Sequence, residues 1–175
     1  MAQRVLTPRQ RRLQADYESL VRSFSGHPNI RVEPIGPAPA SRYRIIYNVP
    51  GLRLTADRSF QTTNQHVVNM QLPGQYPREK PYCTTEAQIF HPNFGNYICI
   101  ADFWGPSQSL VDVVVQIGDM LQYKLFNTRS PLNARAALWA RQNIDSLPIG
   151  SIELLPLEPE VRLRTARTTV DEQAS

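Results

Sequence analysis

The sequence predicts an α+β fold: an N-terminal helix, a four-stranded antiparallel meander, an irregular shelf, a central helix and a C-terminal helix. Three observations support this order. A capped amphipathic pattern opens the chain, short alternating stretches separated by turn residues follow, and a wider apolar helical pattern comes after them. At 175 residues, the chain is long enough for one domain with a substantial core.

The first helix is predicted to begin at Pro8. Thr7 can cap it, proline suits the first helical position, and Gln10 completes a capping box. The pair Ser25 and Gly26 ends it. One face is apolar and comprises Leu13, Tyr17, Leu20, Val21 and Phe24. The opposite face is basic and comprises Arg9, Arg11, Arg12 and Arg22.

Four stretches have the composition of strands and are separated by proline- and glycine-containing turns. They are residues 30–32, 42–48, 66–72 and 84–90. Because short turns join consecutive strands, the pattern predicts an antiparallel meander.

A second long helix is predicted over residues 108–124. It carries one wide apolar stripe: Leu110, Val113, Val114, Ile117, Met120 and Leu121. This helix should pack across the sheet as the central core helix. Further on, Ser130 is expected to cap a last helix with Pro131 at its first position, and that helix should end near Asn143.

The globular domain is predicted to span residues 1–146, with a C-terminal extension over residues 147–175. Within the extension, residues 152–157 fit either an edge strand or a docking segment. Residues 161–175 are polar and are expected to form a mobile, partly disordered tail.

Composition limits the function classes. No apolar run approaches the ~20 residues needed to cross a bilayer, and the polar N-terminus is unlike a secretory signal, so a cytoplasmic location is expected. The two cysteines, Cys83 and Cys99, cannot build a disulfide framework or, with three scattered histidines, a structural zinc site. The net charge of +4 leaves nucleic-acid binding open, but a solvated basic surface is the favoured interpretation.

The stretch from Tyr76 to Trp104 carries the chemistry. Pro92, between His91 and Asn93, ends a strand and fixes a bend, and a Gly-Asn turn follows. This pattern predicts that the Asn93 side chain and Cys99 lie close together on a partly exposed shelf. Taken alone, Cys99 would more readily be interpreted as a small buried apolar residue than as a nucleophile.

This stretch resembles the active site of ubiquitin-conjugating enzymes, and the resemblance covers roughly residues 5–145. The matching motifs, in chain order, are Tyr76-Pro77 with Pro81, His91-Pro92-Asn93, Ile98-Cys99, Trp104 with Pro106, and Ser130-Pro131-Leu132-Asn133 with Ala136-Ala137.

The resemblance implies a UBC-like fold and a reaction that needs no cofactor. Cys99 would accept a ubiquitin-like protein as a thioester from an activating enzyme, which would dock on the first helix, and would pass it to an amine of a protein acceptor. Asn93 would donate to the oxyanion, hold the neighbouring loop, or do both. His91 and Pro92 would shape the turn, with His91 acting as a brace and not as a base.

Two supporting residues are weaker matches. Ser130 occupies the position where the family has an acidic or serine residue that orients the incoming lysine, although helix capping is the alternative role. Asp102 is the nearest carboxylate to Cys99, one residue further away than the family pattern places it. Arg78 replaces an apolar residue at which ligases dock, so the need for a ligase stays open.

These departures from the family pattern are typical of an outlying branch of the family. They favour a bacterial conjugation system with a role in antiviral defence. A second interpretation is a non-catalytic variant of the same fold that binds a ubiquitin-like protein or a partner enzyme. The intact His-Pro-Asn tripeptide with Cys99 speaks against that alternative. A third, nucleic-acid binding through the arginine-rich helix, predicts steeply salt-dependent affinity.

Overall fold

The computed structural model describes residues 6–100 and 104–157. Helix α1 spans Pro8–Phe24, and the predicted capping box is present. The Thr7 hydroxyl accepts from the Gln10 backbone N–H at 3.2 Å, and the Gln10 side chain accepts from the Thr7 N–H at 2.8 Å. The helix ends at the predicted place, with Ser25 as its C-cap.

The main sheet has four antiparallel strands, as predicted. They are β1 (Ile30–Ile35), β2 (Arg42–Tyr47), β5 (His66–Gln71) and β6 (Tyr82–Thr85), in the order β1-β2-β5-β6. Together with the helices, this sheet gives the expected α+β fold.

The chain between β2 and β5 forms a hairpin that the sequence did not predict. Strand β3 (Gly51–Leu54) pairs with β4 (Phe60–Thr63) in a separate two-stranded sheet. On its other side, β3 contacts the segment that leads into His91. The Leu54 N–H donates to the Gln88 carbonyl, and the Phe90 N–H donates to the Leu52 carbonyl.

This contact explains why the predicted fourth strand, residues 84–90, was misplaced. Strand β6 ends at Thr85, and the chain then leaves β5 and runs beside β3. The chain therefore approaches His91 along the hairpin and not along the main sheet.

The central helix α2 spans Leu110–Leu121, slightly shorter than the predicted 108–124. Ser109 caps it, accepting from the Asp112 N–H at 3.0 Å. Tyr123 ends the helical path by adopting a φ of 58°. The predicted apolar stripe is buried and packs in the main core with residues of α1 and the sheet.

The last helix, α3, spans Ala134–Gln142, and a short 3₁₀ turn at Ile144–Ser146 follows. The prediction that Ser130 caps this helix was wrong. Asn133 is the N-cap, with its side chain accepting from the Ala136 N–H at 3.0 Å. The Leu132 and Asn133 N–H groups both donate to the Pro92 carbonyl, which keeps this stretch out of the helix.

A second apolar cluster joins α3 to the hairpin. Phe60 stacks on Phe90 with ring centroids 4.4 Å apart, and Trp139 meets both rings edge-on. Tyr123 also belongs to this cluster and donates its hydroxyl to the Phe90 carbonyl at 2.6 Å. The hairpin thus completes the core beneath the chain that leads to His91.

Residues 150–157 form a C-terminal strap with no regular secondary structure. The edge strand, one of the two alternatives for residues 152–157, is not formed, and the segment packs against the domain. Leu154 is 1% exposed, and the Leu157 N–H donates to the Ser23 carbonyl in α1. The predicted polar tail lies outside the described residues. No helix in the described ranges is long and apolar enough to span a bilayer.

Candidate active site around Cys99

His91 is fully buried and bonded through both ring nitrogens. Its Nδ1 accepts from the Asn93 backbone N–H at 3.1 Å, so the proton sits on Nε2, which donates to the Leu125 carbonyl at 3.1 Å. Burial lowers the pKa of His91 to about 3, so the ring is neutral at neutral pH. A histidine with both nitrogens occupied shapes the turn and has no free nitrogen with which to accept a proton from a substrate.

Asn93 is 4% exposed and clamps a chain segment 34 residues further along. Its Oδ1 accepts from the Asn127 N–H at 2.7 Å, and its Nδ2 donates to the Asn127 carbonyl at 3.0 Å. An amide nitrogen has two N–H groups, so one Asn93 donor remains outside this pair. The side chain therefore fixes the loop after α2 and keeps one donor for another partner.

Cys99 is brought back beside Asn93 by the turn at Gly95 and Asn96. The Cys99 N–H donates to the Asn93 carbonyl at 2.9 Å, and the thiol is half-buried and free of any disulfide. The preceding residue, Ile98, donates its N–H to the Cys83 carbonyl of β6 at 2.8 Å. The main sheet thus anchors the Cys99 loop directly, and the predicted closeness of Cys99 and Asn93 is present.

A cavity of about 240 Å³ opens next to Cys99. Its lining residues are Asn93, Cys99, Ile100, Gln116, Met120, Leu125, Phe126 and Asn127. Helix α2 contributes one wall, and Gln116 donates its side-chain N–H to the Ile100 carbonyl next to Cys99. The segment clamped by Asn93 contributes another wall.

The two weaker sequence candidates are not placed at this cavity by the described residues. Ser130 is exposed, is not a helix cap and does not line the cavity. Asp102 lies outside the described residues. By contrast, Gln116 and Asn127 line the cavity, although neither was singled out from the sequence. A lone amide residue in a helix or loop gives no local signal of its distant contacts.

The turn at Tyr76 and the loop after Trp104 are tied to α1. The Tyr76 hydroxyl donates to the buried Asp16 carboxylate at 2.5 Å, and Trp104 Nε1 donates to the Pro77 carbonyl at 2.6 Å. Arg12 bonds the same carboxylate at 2.6 Å and donates to the carbonyls of the loop before α2. Arg12 is therefore part of the structural framework and does not belong to a free basic face.

Cys83, the other cysteine, is core. It is 1% exposed, and burial raises the pKa of its thiol to about 12. A thiol that stays protonated and enclosed is a poor nucleophile. The two cysteines therefore have different environments, and Cys99 is the accessible one.

The sequence profile described as "Ubiquitin-conjugating enzyme" matches residues 41–147, which is more than half of the chain. The chain belongs to the ubiquitin-conjugating enzyme family. No curated protein gave a significant sequence match. Family membership supports a ubiquitin-conjugating-like function, and such proteins generally work with a ubiquitin-like protein and an activating enzyme. The match leaves α1 and β1 outside its range.

Proposed function

We propose that the protein carries a ubiquitin-like protein as a thioester on Cys99 and transfers it to an amine of a protein acceptor. One observation carries the proposal. The half-buried Cys99 thiol shares a cavity with Asn93, directly after the His91-Pro92-Asn93 turn. Membership of the family supports the same chemistry.

In the loading step, the Cys99 thiolate attacks the thioester carbonyl that links the modifier to the activating enzyme. A new carbon–sulfur bond forms at Cys99, and the activating enzyme's cysteine leaves as a thiolate. In the second step the acceptor amine attacks, a carbon–nitrogen bond forms, and the Cys99 thiolate leaves while solvent takes the amine proton. Both steps pass through an oxyanion, to which the remaining Asn93 N–H can donate.

We also propose supporting roles for residues near this turn and for α1. His91 and Pro92 set the turn that presents Asn93, and this is how we propose that they contribute. Ser130 and Asp102 stay predictions, as residues that orient the incoming amine. For docking of the activating enzyme we propose α1, where Arg11 and Arg22 are exposed.

The test mixes the protein with its activating enzyme, a ubiquitin-like protein and ATP, followed by electrophoresis with and without reductant. We expect a reducible adduct that is absent in Cys99→Ala and becomes resistant to reductant in Cys99→Ser, because serine would form an ester. Cys83→Ala is the matched control and should keep the reducible adduct. If no adduct forms with the cognate partners, or if the adduct survives in Cys99→Ala, the proposal fails.

The labelling rate of Cys99 by a small thiol reagent tests the non-catalytic alternative without any partner protein. The half-buried but accessible Cys99 thiol should react much faster than Cys83, which stays unlabelled in the folded state. If Cys99 reacts as slowly as Cys83, the binding-module interpretation gains and the thioester proposal loses its basis.

A further inference from the structure

The C-terminal strap packs closely against α2 and the residue that follows it, at two positions where the close contact requires glycine. The Leu154 side chain fills a notch above Gly118, where an added Cβ would lie 2.2 Å from Leu154 Cδ1. Gly150 is equally restricted, because a Cβ there would lie 2.5 Å from the Oε1 of Gln122. Glycine at both positions lets the strap approach the helix closely.

The Gln122 side chain binds the backbone of the strap. This side chain is fully buried; its Oε1 accepts from the Ile152 N–H at 3.1 Å, and its Nε2 donates to the Ile152 carbonyl at 3.0 Å. The Gly150 N–H donates to the Gln122 carbonyl at 2.9 Å, and Lys124 Nζ donates to the Ile152 carbonyl at 2.6 Å. The strap is therefore held by a buried, hydrogen-bonded site.

The residues that hold the strap lie at the start of the segment that lines the cavity beside Cys99. We call residues 122–127 the wall segment. At its first half, Gln122 and Lys124 bond the strap. At its second half, the Leu125 carbonyl accepts from His91, and Asn127 is clamped by Asn93. An unbroken series of short contacts thus joins the strap to the residues around Cys99.

We propose that the strap and Gln122 form a positioning device for the active site: docking of the strap fixes the wall segment, and the wall segment fixes Asn93. Gln122 acts through other residues and contacts no reacting atom, so it is a positioning residue. The inference rests on the proposed function only where it concerns thioester formation. The structural coupling between Leu154 and Asn127 can be measured without a modifier.

The test compares two adjacent leucines in the full chain. Leu154 is 1% exposed in the notch, whereas Leu155 is 70% exposed. In the wild type we expect the Asn127 amide, measured by NMR, to exchange faster than amides in β5, by local opening of the wall segment. In Leu154→Ala, exchange at Asn127 should accelerate about tenfold, because the opening no longer has to break the Leu154 contact. Leu155→Ala should leave both rates within about twofold.

A second variant changes the α2 side of the same contact. Gly118→Ala places a methyl group where Leu154 packs, although alanine is the stronger helix former. It should accelerate Asn127 exchange in the same way as Leu154→Ala. In a loading assay, both variants should lower kcat about tenfold and leave KM for the charged activating enzyme unchanged, since the strap is not a docking surface in this scheme.

The outcomes separate cleanly. Faster wild-type exchange at Asn127 than in β5, with acceleration at Asn127 in both variants, supports the coupling. If Asn127 already exchanges as slowly as β5 in the wild type, the wall segment has no local opening for the strap to control. If exchange at Asn127 is unchanged in the variants, strap and wall are independent; either result overturns the proposal. If the wild-type chain forms no adduct but exchange at Asn127 is coupled to Leu154, the proposed function fails and the positioning device stands.

Discussion

The clamp between Asn93 and Asn127 can be tested by removing one side chain. Asn93→Ala would leave the Asn127 N–H and carbonyl without their partners at 2.7 and 3.0 Å. Each orphaned buried group costs roughly 1–3 kcal/mol, and because Asn127 is only half-buried, we expect a total loss of about 2–3 kcal/mol. In urea this corresponds to a midpoint lower by about 1–2 M.

The control is Asn96→Ala, three residues further along the same loop and exposed. It should change the free energy of unfolding by less than about 0.5 kcal/mol. Equilibrium urea unfolding followed by tryptophan fluorescence measures both. A loss below about 0.5 kcal/mol in Asn93→Ala would refute the clamp, because the hydrogen bonds would then have no energetic role.

The same variant also addresses the chemical role of Asn93. If its second N–H donates to the oxyanion, transfer from loaded Cys99 to an amine should slow by about 10²–10³-fold under conditions where the variant remains folded. Asn93→Asp keeps the acceptor for the Asn127 N–H but has no donor, so it should lose transfer as severely as Asn93→Ala. If Asn93→Asp transfers at the wild-type rate, Asn93 acts only as a clamp.

Three further predictions concern the framework. The folded-state pKa of His91, about 3, lies below its ordinary value of 6.5, so the unfolded chain binds more protons between these values. Stability should therefore be complete above pH 6.5 and fall as the pH decreases, by about 2 kcal/mol at pH 5, in urea titrations at both pH values. Arg12→Ala should cost about 2–3 kcal/mol by removing the cationic partner of the buried Asp16 carboxylate, which would keep its hydrogen bond from Tyr76, whereas the exposed Arg11→Ala should be nearly neutral in the same assay. Gly51→Ala should lower the melting temperature and cost about 1–3 kcal/mol, because its Cβ would lie 2.6 Å from the ring of His66.

Local rules predicted the parts of the fold that local contacts determine. The capping box at Thr7, the buried stripe of α2 and the turn that returns Cys99 to Asn93 all depend on residues within a few positions of one another. The antiparallel meander was predictable for the same reason, because each strand of the main sheet pairs with the strand of that sheet that comes next in the chain.

Contacts between distant segments account for what was missed. Strands β3 and β4 are only four residues long each, and the pairing of β3 with the chain before His91 cannot be deduced from either stretch alone. The cap of α3 was assigned to Ser130 because serine before proline is a strong local signal. The Pro92 carbonyl, about forty positions away in sequence, accepts from Leu132 and Asn133 and moves the helix start to Ala134.

The cavity beside Cys99 has a chemical property that fits an acyl carrier better than a hydrolase. Among its lining residues in the described part of the chain, Cys99 is the only titratable one. The nearest histidine, His91, is neutral, with Nδ1 and Nε2 both engaged by backbone groups, so it cannot deprotonate a water molecule. A thiolate needs no general base to exchange with another thioester, whereas hydrolysis requires an activated water. Under the proposed function, such a site would favour transfer between thiols and would preserve the thioester until an amine arrives.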